Sequence, residues 1–189
     1  MILLYFLISM SPLSDSLFSY LEQIDYFSAQ YEETVLDTMT ETSYLFKGTI
    51  YLARPNYFRM NVDYPEKQLL ICDGQILWLY LYEDSTTYQI DLNDPQADIP
   101  RPDKFIFGSS QEYQELNVTR NSNNAVLSYK PVTSNRFFNK IDVSVTLPTI
   151  SINYLRIYSD EFGERLLRFI PESESFNPLP DTLFYYNIN

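Results

Sequence analysis

Few groups in this 189-residue chain could perform chemistry. It contains no histidine and one cysteine, which removes Ser-His-Asp and Cys-His catalysis, histidine-ligated zinc and an intrachain disulfide. The carboxylates lie mostly in turns and no nucleophile–base pair can be assembled, so no catalytic residue, enzymatic activity or cofactor is expected. Asp91, Asp94, Asp98 and Asp103 lack the central glycine and terminal glutamate of an EF-hand loop, so no metal site is expected either. Cys72 sits in the apolar run before Asp73-Gly74 and reads as a small buried hydrophobe; the neighbouring aspartate opposes thiolate formation. The group that stands out is Arg54. By the two-residue strand period, Gly48, Ile50, Leu52 and Arg54 share one otherwise apolar face, and a guanidinium at its end needs acceptors. Its plainest role is to cap the turn before Pro55.

The elements that would position these residues are mostly strands. Gly48 to Tyr80 reads as four consecutive antiparallel strands, turning at Arg54-Pro55-Asn56, at Pro65-Glu66-Lys67 and at Asp73-Gly74, the last a strong two-residue signal for a type I′ turn. Phe58, Met60 and Val62 share one face of the second of these strands. Along the whole chain twelve strands are expected, at 31–40, 44–53, 57–64, 68–73, 76–82, 86–92, 113–120, 125–130, 137–147, 150–158, 165–171 and 182–188. The 17 tyrosines and 13 phenylalanines suit a large sheet and a wide apolar pocket alike. Ahead of the strands, Ser11-Pro12 signals a helix start, and Leu13, Leu17, Leu21 and Ile24 recur at helical spacing with Tyr20 and Phe27 beside them, predicting about four turns from 12 to 27. Pro95, Pro100 and Pro102 exclude a central strand between Asn93 and Ser110. The fold class is therefore mainly β (α+β): one strongly curved antiparallel sheet, half closed, around an N-terminal helix and an irregular segment.

The net charge of −12 excludes a nucleic-acid footprint and disfavours adsorption to anionic lipid; it suits a soluble shuttle and simple solubility equally. Ile2 to Ile8 is apolar but far too short to span a bilayer. Residues 1–10 read as a degraded or truncated export signal, or else as a first core segment, and residues 11–189 as the functional domain.

The ordered residue types carry more than any single element. Gly48, Arg54, Pro55, Phe58, Pro65, Asp73, Gly74, Trp78 and Tyr80 match the run G-x-L-x-x-x-R-P-x-x-F-x-W, a proline, then x-D-G-x-x-L/V-W-x-Y, with Met60 in place of the usual tryptophan. Upstream, Tyr26 to Val35 looks like F-x-A-x-F-x-Q-x-V, and Phe176 to Tyr186 resembles a closing strand. In these features the chain resembles the LolA family, periplasmic carriers of outer-membrane lipoproteins. Between about Asp94 and Arg168 the likeness is only architectural.

That resemblance implies an apolar cavity for acyl chains, lined by Leu17 and Leu21 from the helix and by Ile50, Leu52, Phe58, Met60 and Val62 from the sheet. It implies a lid in the proline-rich break, with Ile99, Phe105, Ile106 and Phe107 as its apolar plug; an ordinary surface loop is the alternative. It gives Arg54 a second role, a latch bonded to lid carbonyls. The implied partners are acylated lipoproteins, an inner-membrane lipoprotein-releasing transporter and an outer-membrane acceptor, with a periplasmic location and a monomeric state. Two rivals are a half-barrel carrying free lipid and a structural or partner-binding β domain with a solid interior.

Overall fold

The computed structural model describes residues 10–37, 40–94, 101–133, 138–160 and 163–186. Residues 1–9, most of the expected export segment, and Ile99 of the expected lid lie outside these. Helix α1, Pro12–Glu22, begins as the sequence dictates: the Ser11 hydroxyl accepts from the Ser14 N–H and Pro12 takes the first helical position. It has eleven residues, fewer than the four turns expected. The end is set from outside the helix. The last turn tightens to i→i−3 bonds, Gln23 to Tyr20 and Ile24 to Leu21, and Arg54 draws the Leu21 and Ile24 carbonyls toward itself. Tyr26 and Phe27 then already belong to β1, Tyr26–Asp37, which starts five residues earlier than expected.

Eleven strands follow in one antiparallel sheet: β1, β2 (Thr42–Ala53), β3 (Tyr57–Tyr64), β4 (Gln68–Asp73), β5 (Ile76–Leu81), β6 (Thr86–Asp91), β7 (Tyr113–Arg120), β8 (Asn124–Pro131), β9 (Lys140–Thr146), β10 (Ser151–Ser159) and β11 (Gly163–Phe169). The spatial order is β6-β5-β4-β3-β2-β1-β11-β10-β9-β8-β7. Two meanders thus meet at the β1–β11 pair, and the ends, β6 and β7, do not pair with each other, so the barrel stays open. Helix α1 and a short second helix, α2 (Pro102–Ile106), pack on the inner face.

One turn and one strand position need glycine for different reasons. In the Asp73–Ile76 connection only Gly74 has a positive φ, +93°, whereas a type I′ turn needs two such residues; the Asp73 carboxylate instead accepts from the Gln75 and Ile76 N–H groups. At Gly48 the β2–β3 register shifts, and a Cβ there would lie 1.8 Å from the Asn61 carbonyl oxygen, so no other residue allows this approach.

The expected twelfth strand at 182–188 does not form within the described residues. Asp181–Phe184 is a 3-10 turn. Pro178 and Pro180 remove backbone donors just before it, and Phe184 buries on the outer face of the sheet with Tyr186 half-buried beside it. There Phe184 packs on Tyr57 with ring centroids 5.6 Å apart, Tyr186 stacks on Trp78 at 5.7 Å, and Arg59 donates to the Leu183 carbonyl at 3.0 Å. Leu69 and Ile71 alternate onto this outer face and are buried. The wing β3–β5 therefore carries apolar layers on both sides.

Candidate functional site

The register sets out the inner wall in rows. Phe27, Leu52, Phe58, Cys72 and Leu77 form one; Ala29, Ile50, Met60, Leu70 and Leu79 the next; Tyr31, Gly48, Val62, Gln68 and Leu81 a third. Successive rows lie about 7 Å apart at ordinary strand rise. Of the expected wall residues, Leu17, Leu21, Ile50, Leu52, Phe58 and Met60 come together in one apolar core and are at most 5% exposed. Val62 faces the same way and is buried, but stands apart from that core.

Helix α1 is fixed across this wall at both ends. At its start the Glu115 carboxylate of β7 accepts from the Ser11 N–H at 3.1 Å, from the Ser11 hydroxyl at 2.7 Å and from the Ser14 hydroxyl. A negative group at a helix N-terminus is favoured by the exposed N–H groups and the helix dipole. Burial pushes the Glu115 carboxyl up, but the bonds from Ser14 and Ser11 outweigh it and hold the group below the usual carboxylate range. Ser14 also bonds the Tyr129 hydroxyl at 2.8 Å. At the other end Arg54 donates from Nε to the Ile24 carbonyl at 2.8 Å and from Nη2 to the Leu21 carbonyl at 2.9 Å.

The third bond of Arg54 runs from Nη1 to the Phe107 carbonyl, at 3.3 Å, and the guanidinium carbon lies 4.8 Å from the Phe107 ring centre. Phe107 closes α2, so one arginine spans the sheet, α1 and α2. Of the expected plug, Phe105 and Ile106 are buried and Phe107 is half-buried beneath the guanidinium. Phe105 sits among the rings of Phe18, Tyr113 and Tyr129, at 5.9, 5.2 and 5.7 Å. Tyr113 donates to the Lys104 carbonyl at 3.1 Å.

The opposite end of α2 is held by a buried ion pair that the sequence did not advertise. Arg101 donates from Nε to Asp103 at 2.9 Å and from Nη2 to its other oxygen, both side chains being almost fully buried. The Arg101 Nη1 group reaches the Cys72 sulfur at 3.5 Å. Burial pushes the Cys72 thiol up, against the pull of Arg101. Asp103, grouped above with the turn aspartates, is thus an interior counter-ion. An Arg-Pro-Asp triplet flanking a first-turn proline was the one local hint.

Two clefts, of about 400 and 390 Å³, flank α1 at its two ends. The helices α1 and α2 cover the wall at Ile50, Leu52, Phe58 and Met60, while Leu70, Leu79 and Leu81 stay half-buried. Among the described residues no helix is long and apolar enough to cross a membrane.

An open curved antiparallel sheet with its inner face stoppered by one N-terminal helix and one short internal helix defines a plugged half-barrel. Residues 22–187 match the family model described as outer membrane lipoprotein carrier protein LolA. The chain belongs to that family. It is 32% identical over 135 residues to an outer-membrane lipoprotein carrier protein of Actinobacillus pleuropneumoniae serotype 3, covering 69% of this chain and 62% of the relative. It is 25% identical over 170 residues to one from Pasteurella multocida, covering 89% and 79%. The chain thus spans under two thirds of the former relative's length. Among solved structures, a LolA superfamily protein from Nitrosomonas europaea superposes with a TM-score of 0.50 at 12% identity, covering 91% of this chain and 97% of its own. An uncharacterised conserved protein from Thermus thermophilus superposes with a TM-score of 0.55 at 9% identity, covering 93% and 94%. These two likenesses concern the fold.

Proposed function

We propose that this protein is a non-enzymatic carrier that shields the acyl chains of lipoproteins on the inner wall, collecting them from an inner-membrane transporter and delivering them across the periplasm to an outer-membrane acceptor. The observation that carries the reading is the construction of the lid. Its plug, Phe105 and Ile106, occupies apolar space that hydrocarbon fills equally well, while the lid's bond to Arg54 goes to a backbone carbonyl that water can satisfy once the lid lifts. Acyl chains displace the plug and the wall stays covered; burial of each CH₂ contributes about 0.8 kcal/mol. The acidic surface keeps the carrier off anionic membranes at either end of its route.

One observation favours the rival, a partner-binding β domain: Leu17, Leu21, Ile50, Leu52, Phe58 and Met60 are all buried with the lid shut. Mass spectrometry of the protein isolated from the periplasm of lipoprotein-producing cells separates the readings. Acylated peptide recovered with the protein supports the carrier. Free lipid alone moves the assignment to a free-lipid half-barrel. No acyl species, together with no binding of a fluorescent acyl probe, overturns both in favour of the solid interior.

A further inference from the structure

The third row of the inner wall departs from the apolar rule. Tyr31 stands at the centre of the sheet, between Gly48 of β2 and Phe169 of β11. Its side chain is 1% exposed, and its hydroxyl has no hydrogen-bond partner among the described residues. An unsatisfied buried hydroxyl costs about 1–3 kcal/mol and is rarely left without a reason. One row further along, Glu33 receives two bonds from Arg165, at 2.7 and 2.8 Å. Burial first, and then the Glu33 charge, raise the pKa of the tyrosine, so its proton stays on oxygen as a donor. In the upstream run F-x-A-x-F-x-Q-x-V, Tyr31 and Glu33 stand where a phenylalanine and a glutamine are usual. The tyrosine hydroxyl thus stands where that run has an apolar ring, and the ion pair where it has a polar amide. Beyond them the β1–β2 hairpin opens to solvent, with Tyr44, Leu36 and Leu45 exposed. The wall is therefore graded: hydrocarbon-like at the Phe58 and Met60 rows, polar at Tyr31 and Glu33, wet beyond.

We infer that Tyr31 is a specificity-determining residue of the inner wall, its hydroxyl donating a hydrogen bond to the ester or amide carbonyl that joins an acyl chain to its headgroup. The inference rests on the acyl-carrier reading and refines it. A carbonyl acceptor at this depth leaves the chain to run along the apolar rows and the headgroup to point toward the open rim. The acceptor satisfies a donor that has no partner among the described residues, so the gain on binding is not offset by a protein bond already made.

The test compares ligands that differ only in that carbonyl: a diacylated lipopeptide and its dialkyl ether analogue, and a free monoacylglycerol and its alkyl ether. The full chain and its Tyr31→Phe variant are titrated with all four. The wild type is expected to prefer each ester over its ether by about threefold to tenfold. Tyr31→Phe is expected to lose that preference, keep its affinity for the ethers and melt no lower than the wild type. Whichever ester binds more tightly tells tethered from free lipid. An unchanged ester preference in Tyr31→Phe, or equal binding of ester and ether by the wild type, overturns the inference and leaves the carrier reading standing. A wild type that binds none of the four overturns the carrier reading itself.

Discussion

Arg54 is the residue on which three elements converge, and the division of its bonds decides what its loss should do. Two go to carbonyls at the end of α1 and one to the lid. Hydrogen bonds from a charged group are worth about 1.5–3 kcal/mol each, so Arg54→Leu should both fray the helix end and favour the open lid. On the carrier reading we expect a lower melting temperature, faster uptake of an acyl probe and slower hand-off to an acceptor, because the closed state would be weakened. Hand-off at the wild-type rate in a destabilised variant would reduce Arg54 to a helix cap. Two carboxyls make opposite pH predictions. Glu115 has a folded-state pKa below its unfolded value, so its contribution is present above the unfolded pKa and is lost as pH falls through the folded one. Glu174 has a folded-state pKa raised by burial, so it favours the fold in acid and opposes it once ionised. Glu115→Gln should therefore melt lower at pH 7 and lose less on acidification, while Glu174→Gln should melt slightly higher at pH 7; chemical denaturation at pH 4 and pH 7 reads both signs. The sequence made Arg54 legible because a guanidinium on an apolar strand face must find acceptors. Glu115 was not legible, since nothing local ties it to Ser11, 104 residues away.

Among the strands and α-helices, α2, the proposed lid, is the shortest. Helix α2 has five residues, too few to be stable alone, so its fastenings keep it formed. At its start lies the Arg101–Asp103 pair, and breaking a buried pair strands a charge at a cost of about 3–5 kcal/mol, whereas replacing both partners by apolar groups is often neutral. Asp103→Ala alone should accelerate amide exchange across 102–106 and lower the melting temperature, and Arg101→Met with Asp103→Leu should recover most of the loss. Equal damage from the single and double variants would argue that the pair contributes packing and not charge. The strands β2 to β6 were readable because their turn residues and alternation are local. The end of α1 was not, because it is set by an arginine 30 residues downstream, and neither was the fate of the C-terminal aromatics. Phe184 and Tyr186 alternate as a strand would, yet they cover Tyr57 and Trp78 on the outer face, a destination no local pattern encodes.

On the scale of the whole molecule, the half-barrel is two hairpin meanders with a seam between them. Each wing is built from neighbours in sequence, and α1, α2 and the C-terminal segment bridge or cover what the wings leave open. The seam is different in kind. β1 pairs with β11 through Tyr31 and Phe169, Glu33 and Leu167, and Val35 and Arg165, joining the first strand to the last. Loop closure of that length is slow, and chains dominated by distant pairings fold late. While the chain is being made, β1 to β6 can assemble without their partner, but the inner wall has no second half until residue 169 arrives. For that interval the protein is an unfinished sheet with a bare apolar face and an open central edge, the kind of species that aggregates. On the carrier reading, a protein proposed to shield apolar chains from water thus passes through a stage in which its own surface has the same need.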